Sequence, residues 1–76
     1  MTRLGEFFDE KSINKSAVAR KTGLSTSRIG QLTNNPKTIL SAAELYLIAK
    51  AITEDPCKLL DYVCQDLKLA NESISK

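Results

Sequence analysis

From Lys11 to Ala43 the chain carries Lys11, Lys15, Arg20, Lys21, Arg28 and Lys37, and not one aspartate or glutamate. Six cationic groups with no carboxylate among them form a local excess of positive charge, which is chemistry suited to a polyanion. The flanks have the opposite sign. Glu6, Asp9 and Glu10 outweigh Arg3 on one side, and from Glu44 onward the acids outnumber the lysines. A net charge of +2 therefore conceals a basic block between two acidic ones. Such a block is either a surface that faces a polyanion or a solvated face that binds nothing, and charge alone leaves both open.

The other reactive residue types offer little. There is no histidine, no glycine-rich phosphate loop and no acidic cluster placed for metal or acid–base work, so an enzyme is not expected. Cys57 and Cys64 fall within what reads as one helix, where a rise of ~1.5 Å per residue puts their Cα atoms ~10 Å apart, too far for a disulfide. Two thiols without imidazole do not make a structural zinc site, and no metal or cofactor is expected. The cysteines read as small buried apolar residues in a reducing compartment, with an intermolecular disulfide or a redox role as the alternative. The apolar run Leu45 to Ala49 is cut by Lys50, far short of a membrane span. Glu6 interrupts the N-terminus before the apolar stretch of a signal peptide can form. A soluble cytoplasmic protein is the expectation.

The elements that must position the basic block follow from periodicity and caps. Leu4, Phe7 and Phe8 share one helical face, which predicts a first helix over residues 3–11. Asn14 is a good N-cap for a second helix over 15–22, and Gly23 stands where a left-handed residue closes it. Ser25 caps a third helix over 26–34, with Ile29 and Leu32 inward, and Asn35-Pro36 stops it. Ser41 and Glu44 form a capping box ahead of the stripe Leu45, Ile48, Ala49 and Ile52. Asp55-Pro56 opens a fifth helix whose inward face reads as Leu59, Leu60, Val63 and Leu67. With 76 residues and no period-2 alternation, the expectation is one all-α domain over residues 1–68. Residues 69–76 read as a frayed or disordered tail.

Two of these helices meet across a very short connection. Ala19 and Gly23, four residues apart, supply the small side chain and the turn glycine that a close helix pair needs, and Val18, Leu24, Ile29 and Leu32 can form their shared core. The segment Ser16 to Leu32 resembles the lambda-repressor/Cro-type helix-turn-helix family, and the likeness runs from about Leu4 to Val63, including the stretch Leu45 to Ile52. The resemblance implies a compact five-helix domain with its helix-turn-helix at helices two and three, and a third helix inserted into the major groove of double-stranded DNA. Two features depart from the family pattern. Lys15 stands where many members have glutamine, and Thr33-Asn34-Asn35-Pro36 replaces a common Glu-x-Gly, so the exit from the third helix is expected to take a different path.

By the same resemblance Thr26, Ser27, Arg28 and Gln31 match the positions that face base edges. Arg28 has the donors for guanine and Gln31 the amide for adenine, although a phosphate contact is the alternative for Arg28. Lys15, Ser16, Asn34, Asn35 and Lys37 lie where phosphates would flank an inserted helix. Gly30, in the middle of that helix, suits a close approach to DNA or to a neighbouring helix, or is simply tolerated at about 1 kcal/mol. The function implied is a sequence-specific transcriptional regulator, a small bacterial or phage repressor or an antitoxin-like autoregulator with a possible toxin partner. A homodimer is expected, with Tyr46, Tyr62, Cys57 and Cys64 around the fifth helix as its contact. The competing reading is a protein-interaction module of the same fold that binds a partner chain through its acidic, apolar C-terminal third.

Overall fold

The computed structural model describes residues 1–70, and within them five short helices follow one another: α1 (Arg3–Glu10), α2 (Lys15–Thr22), α3 (Thr26–Asn34), α4 (Ala42–Ala51) and α5 (Pro56–Val63). No strand occurs among the described residues. The expected tail falls mostly at residues 71–76, which lie outside the described residues.

Every helix begins where a side-chain oxygen takes up an N–H of the first turn that has no partner inside the helix. Asn14 Oδ1 accepts from the Ala17 amide at 3.0 Å, and Ser25 Oγ from the Arg28 amide at 3.0 Å. The capping box of α4 is complete, with the Glu44 amide donating to Ser41 Oγ at 3.2 Å and the Ser41 amide donating to Glu44 Oε1 at 3.0 Å. Asp55 caps α5 by accepting from the Cys57 amide at 2.9 Å, with Pro56 at the first helical position.

The helix ends differ in kind. Gly23 closes α2 at φ 82°, and Asn35 is extended, as a residue before proline should be, which ends α3. After α1 and α4 the chain wraps back over a residue that is not glycine. The Ile13 amide reaches the Phe8 carbonyl at 2.9 Å across Ser12 (φ 55°), and the Glu54 amide reaches the Ala49 carbonyl at 2.8 Å across Thr53 (φ 61°). These are left-handed closing turns without the glycine that usually makes them easy.

The core takes Leu4, Phe7 and Phe8 from α1, Val18 and Ala19 from α2, Ile29 and Leu32 from α3, Leu45, Ile48 and Ala49 from α4, and Leu59 from α5. Leu24, Ile52 and Val63 pack against it half-buried. Helix α5 is shorter than its apolar pattern predicts. It ends at Val63, leaving Leu67 beyond it and 75% exposed, and Leu60 also lies at the surface, 49% exposed. The cysteines depart from expectation for the same reason. An eight-residue helix buries a narrow face, here centred on Leu59, so Cys57 is exposed and Cys64 only half-buried.

Two side chains near the N-terminus tie distant parts of the chain. Thr2 Oγ1 accepts from the Gly5 amide at 3.0 Å and donates to the Leu32 carbonyl at 2.7 Å, while the Thr2 amide donates to the Thr33 carbonyl at 3.0 Å. The start of α1 thus satisfies the end of α3, two sets of unpaired backbone groups at once. The approach is close enough that a Cβ on Gly5 would run into the Thr33 carbonyl. Arg3 forks onto Asp66, Nε to Oδ2 at 2.9 Å and Nη2 to Oδ1 at 3.0 Å, and also reaches Glu6 at 2.9 Å, pinning the turn after α5 to α1.

Candidate nucleic-acid interface

Helices α2 and α3 are joined by Gly23, Leu24 and Ser25 alone. Ala19, Val18 and Ile29 are buried in the shared core, and Thr22 Oγ1 holds the turn by donating to the Val18 carbonyl at 2.8 Å and accepting from the Leu24 amide at 3.2 Å. With Ile29, Leu32 and Thr33 turned inward, α3 presents Thr26, Ser27, Gln31 and Asn34 to solvent. Thr33 is fully buried, and its hydroxyl donates to the Ile29 carbonyl at 2.9 Å, so it costs the core no unpaired polar group.

The residues placed at phosphates from sequence differ in exposure. Ser16, Asn34, Asn35 and Lys37 are exposed and Lys15 is half-buried at the start of α2. Arg20 and Lys21 are exposed in the last turn of α2. Asn35 also does structural work. Its Oδ1 accepts from the Lys37 amide at 3.0 Å, making the turn that leads out of α3, and its Nδ2 donates to Gln31 Oε1 at 3.2 Å. The exit from α3 runs through this side-chain turn and an extended Asn35 ahead of Pro36.

Gln31 is consequently held in one orientation. Its Oε1 accepts from Asn35 Nδ2 and from Thr38 Oγ1 at 3.3 Å, which uses both lone pairs. The amide N–H groups are the part left for a ligand, and they match acceptors such as guanine N7 and O6 or thymine O4. A two-bond contact with adenine would first have to release Oε1. The sequence did not reveal Asn35 and Thr38 as hydrogen-bond partners of Gln31. Only Asn35 lies at helical spacing from Gln31; Thr38 reaches it across a loop.

Arg28 is placed differently from its three companions. Its Nε donates to Glu44 Oε2 at 2.7 Å and its Nη2 to Glu44 Oε1 at 3.0 Å, and Nη2 also reaches the Ile39 carbonyl at 3.0 Å. The Glu44 carboxylate, already receiving the Ser41 amide, is only 14% exposed. Hydrogen bonds from Arg28 first, and from the Ser41 backbone second, hold the Glu44 carboxyl down at about 2 from an ordinary 4.5. Its hydrogen bonds to Glu44 in turn raise the Arg28 pKa further. Glu44 was legible as a capping residue, but its second partner lies sixteen positions away and leaves no local signal.

Gly30 lies in open space, with nothing within 4 Å of the Cβ it lacks, so packing against a neighbouring helix does not explain it. Over residues 3–65 the sequence matches the profile of the Cro/C1-type HTH DNA-binding domain. The chain belongs to this family of DNA-binding domains. Neither curated proteins nor solved structures give a match. The matched span of this Cro/C1-type domain includes all five helices, so the helix pair α2–α3 sits in the context the family requires. No helix among the described residues is long and apolar enough to cross a membrane, and no group of His, Cys, Asp or Glu there could hold a metal ion.

Proposed function

We propose that this Cro/C1-type domain is a sequence-specific regulator of transcription, a small repressor or antitoxin-like autoregulator of bacterial or phage type. The observation that carries the reading is the exposed face of α3. Thr26, Ser27 and Gln31 are exposed there on a helix with no acidic residue, in the stretch from Lys11 to Ala43 that carries six cations and no carboxylate. In this reading Thr26, Ser27 and the Gln31 amide meet base edges, while Lys15, Ser16, Asn34, Asn35 and Lys37 meet phosphates.

One such module covers a short half-site, so useful specificity calls for two copies on a palindrome. The surface best suited to the second copy is the apolar groove between α4 and α5, lined by Leu40, Leu45, Tyr46, Pro56, Cys57 and Leu60. Of the residues named for this role from sequence, Tyr46 and Cys57 lie on the groove. Tyr62 is engaged within the chain, its ring edge-on to Phe7 at 5.1 Å, with burial and then the charges of Glu10 and Glu6 raising its phenol pKa. The same groove supports the second reading, a module of this fold that binds a partner chain rather than DNA.

The deciding experiment is selection of bound duplexes from a random library at ~150 mM salt, where purely electrostatic binding is weak. A two-fold symmetric consensus is expected. Ser27→Glu, which puts a negative charge on the exposed face without touching the core, should abolish the enrichment. Folded protein that enriches no sequence overturns the regulator reading and favours the docking one.

A further inference from the structure

Among the six cations of the basic block, Arg28 is the one with an ion pair among the described residues. That pair is a two-bond fork on a carboxylate that is itself fixed. Glu44 Oε1 receives the Ser41 amide and Arg28 Nη2, Oε2 receives Arg28 Nε, and the capping box prevents the carboxylate from following Arg28 outward. A guanine contact needs two parallel N–H groups from one edge of the guanidinium. The Nε/Nη2 edge is occupied by Glu44, and the other N–H of Nη2 is taken by the Ile39 carbonyl. Only Nη1 has no partner among the described residues, and one nitrogen cannot complete the pair.

We propose that Glu44 is a specificity-determining positioning residue of the DNA interface, holding Arg28 against the α3–α4 loop so that it supplies neither a guanine contact nor a phosphate-neutralising charge. Reading then falls to Thr26, Ser27 and Gln31, and a chain with an arginine on its recognition helix does not select guanine through it. The proposal rests on the DNA-binding reading, and its test separates the two.

The test is the salt dependence of binding to a mixed-sequence DNA duplex, measured for the wild type, E44Q, R28Q and the double variant. Glutamine keeps the capping hydrogen bond at this helix position and removes the charge that holds the fork. Each phosphate newly neutralised adds about 0.9 to the slope of log Kobs against log salt. With Arg28 present, E44Q should steepen the slope by about 0.9; in the R28Q background it should leave the slope unchanged. Random-library selection with E44Q should gain a guanine that the wild type does not enrich. An equal effect of E44Q in both backgrounds would mean that Glu44 acts through its own charge, and no effect in either would mean that Arg28 was never withheld; both overturn the proposal. A wild type that binds no duplex defeats the DNA-binding reading instead. If E44Q does not fold, the Arg28 Nε–H resonance of the labelled wild type decides. It should keep its shift when duplex is added, and movement on binding would refute the assignment.

Discussion

Gly30 stands on the same side of α3 as Thr26 and Ser27, one turn further along, and a methyl group there would meet no protein atom. Alanine in its place should stabilise the helix by about 1 kcal/mol, since glycine is the poorer helix former. In a domain of this size that corresponds to a rise in Tm of roughly 4–8 °C. If the bare backbone serves close approach to DNA, Gly30→Ala should weaken duplex binding while raising Tm, and we expect both. Calorimetry and a binding titration on one sample check this together. Glu44 supplies a second test at this scale. Its pKa is depressed from 4.5 to about 2 in the folded state, so the ionised carboxylate favours folding. That contribution is complete above about pH 4.5, fades as pH falls and is gone near pH 2. Melting curves of wild type and E44Q should therefore differ at neutral pH and converge as the pH drops through this window.

Among the elements, the helix ends hold the most accessible stability. Thr53 closes α4 at φ 61°, a left-handed conformation that is especially unfavourable for a β-branched residue. Thr53→Gly should stabilise the domain by about 1 kcal/mol, read as a higher Tm, because the left-handed penalty disappears while the Glu54–Ala49 hydrogen bond remains. Gly5 is the converse case. There the α1 backbone meets the end of α3, and Gly5→Ala would force a methyl group into the Thr33 carbonyl and the Met1 side chain. A loss of roughly 1–3 kcal/mol is expected, typical of overpacking, and denaturant titration would measure it. Because Thr2 caps α1 and also binds the Leu32 carbonyl, the same displacement should disturb the far end of the recognition helix and weaken DNA binding.

At the scale of the whole molecule the charge is divided. The basic block runs from Lys11 at the end of α1 through α2 and α3 to Lys37 in the loop after them, while α5 and the turn after it carry Asp61 and Asp66. Among the described residues, no charged one lines the α4–α5 groove proposed for a second copy. The apparent mass in sedimentation should rise with concentration, and Leu60→Glu, at a half-exposed residue lining the groove, should return it to that of a monomer while leaving the fold intact. The surviving monomer should bind a palindromic site far more weakly than the wild type, since the second half-site no longer adds to the first. A wild type that stays monomeric at all concentrations would rule the groove out as a self-association surface.

Local chemistry made the starts of the helices and the ends of α2 and α3 readable in advance. Asn14, Ser25, Ser41 and Asp55 cap through atoms three residues away or fewer, and Gly23 and Pro36 stop helices by their own backbone limits. The amphipathic faces of α1, α3 and α4 were equally plain, because helical period alone places Leu4, Phe8, Ile29 and Ile48 inward. The family was legible for the same reason, in the small residues and glycine that a tight helix pair demands. Distance along the chain decided the rest. Whether Leu60 and Cys57 are covered depends on how far α5 extends over its neighbours, and Leu67 fell outside because the helix ends at Val63. Residue type made Arg28 and Gln31 plausible readers of DNA, but a side chain's free donors depend on what surrounds it in space. Glu44, Ile39 and Thr38, brought up by the α3–α4 connection, take up part of what each could offer.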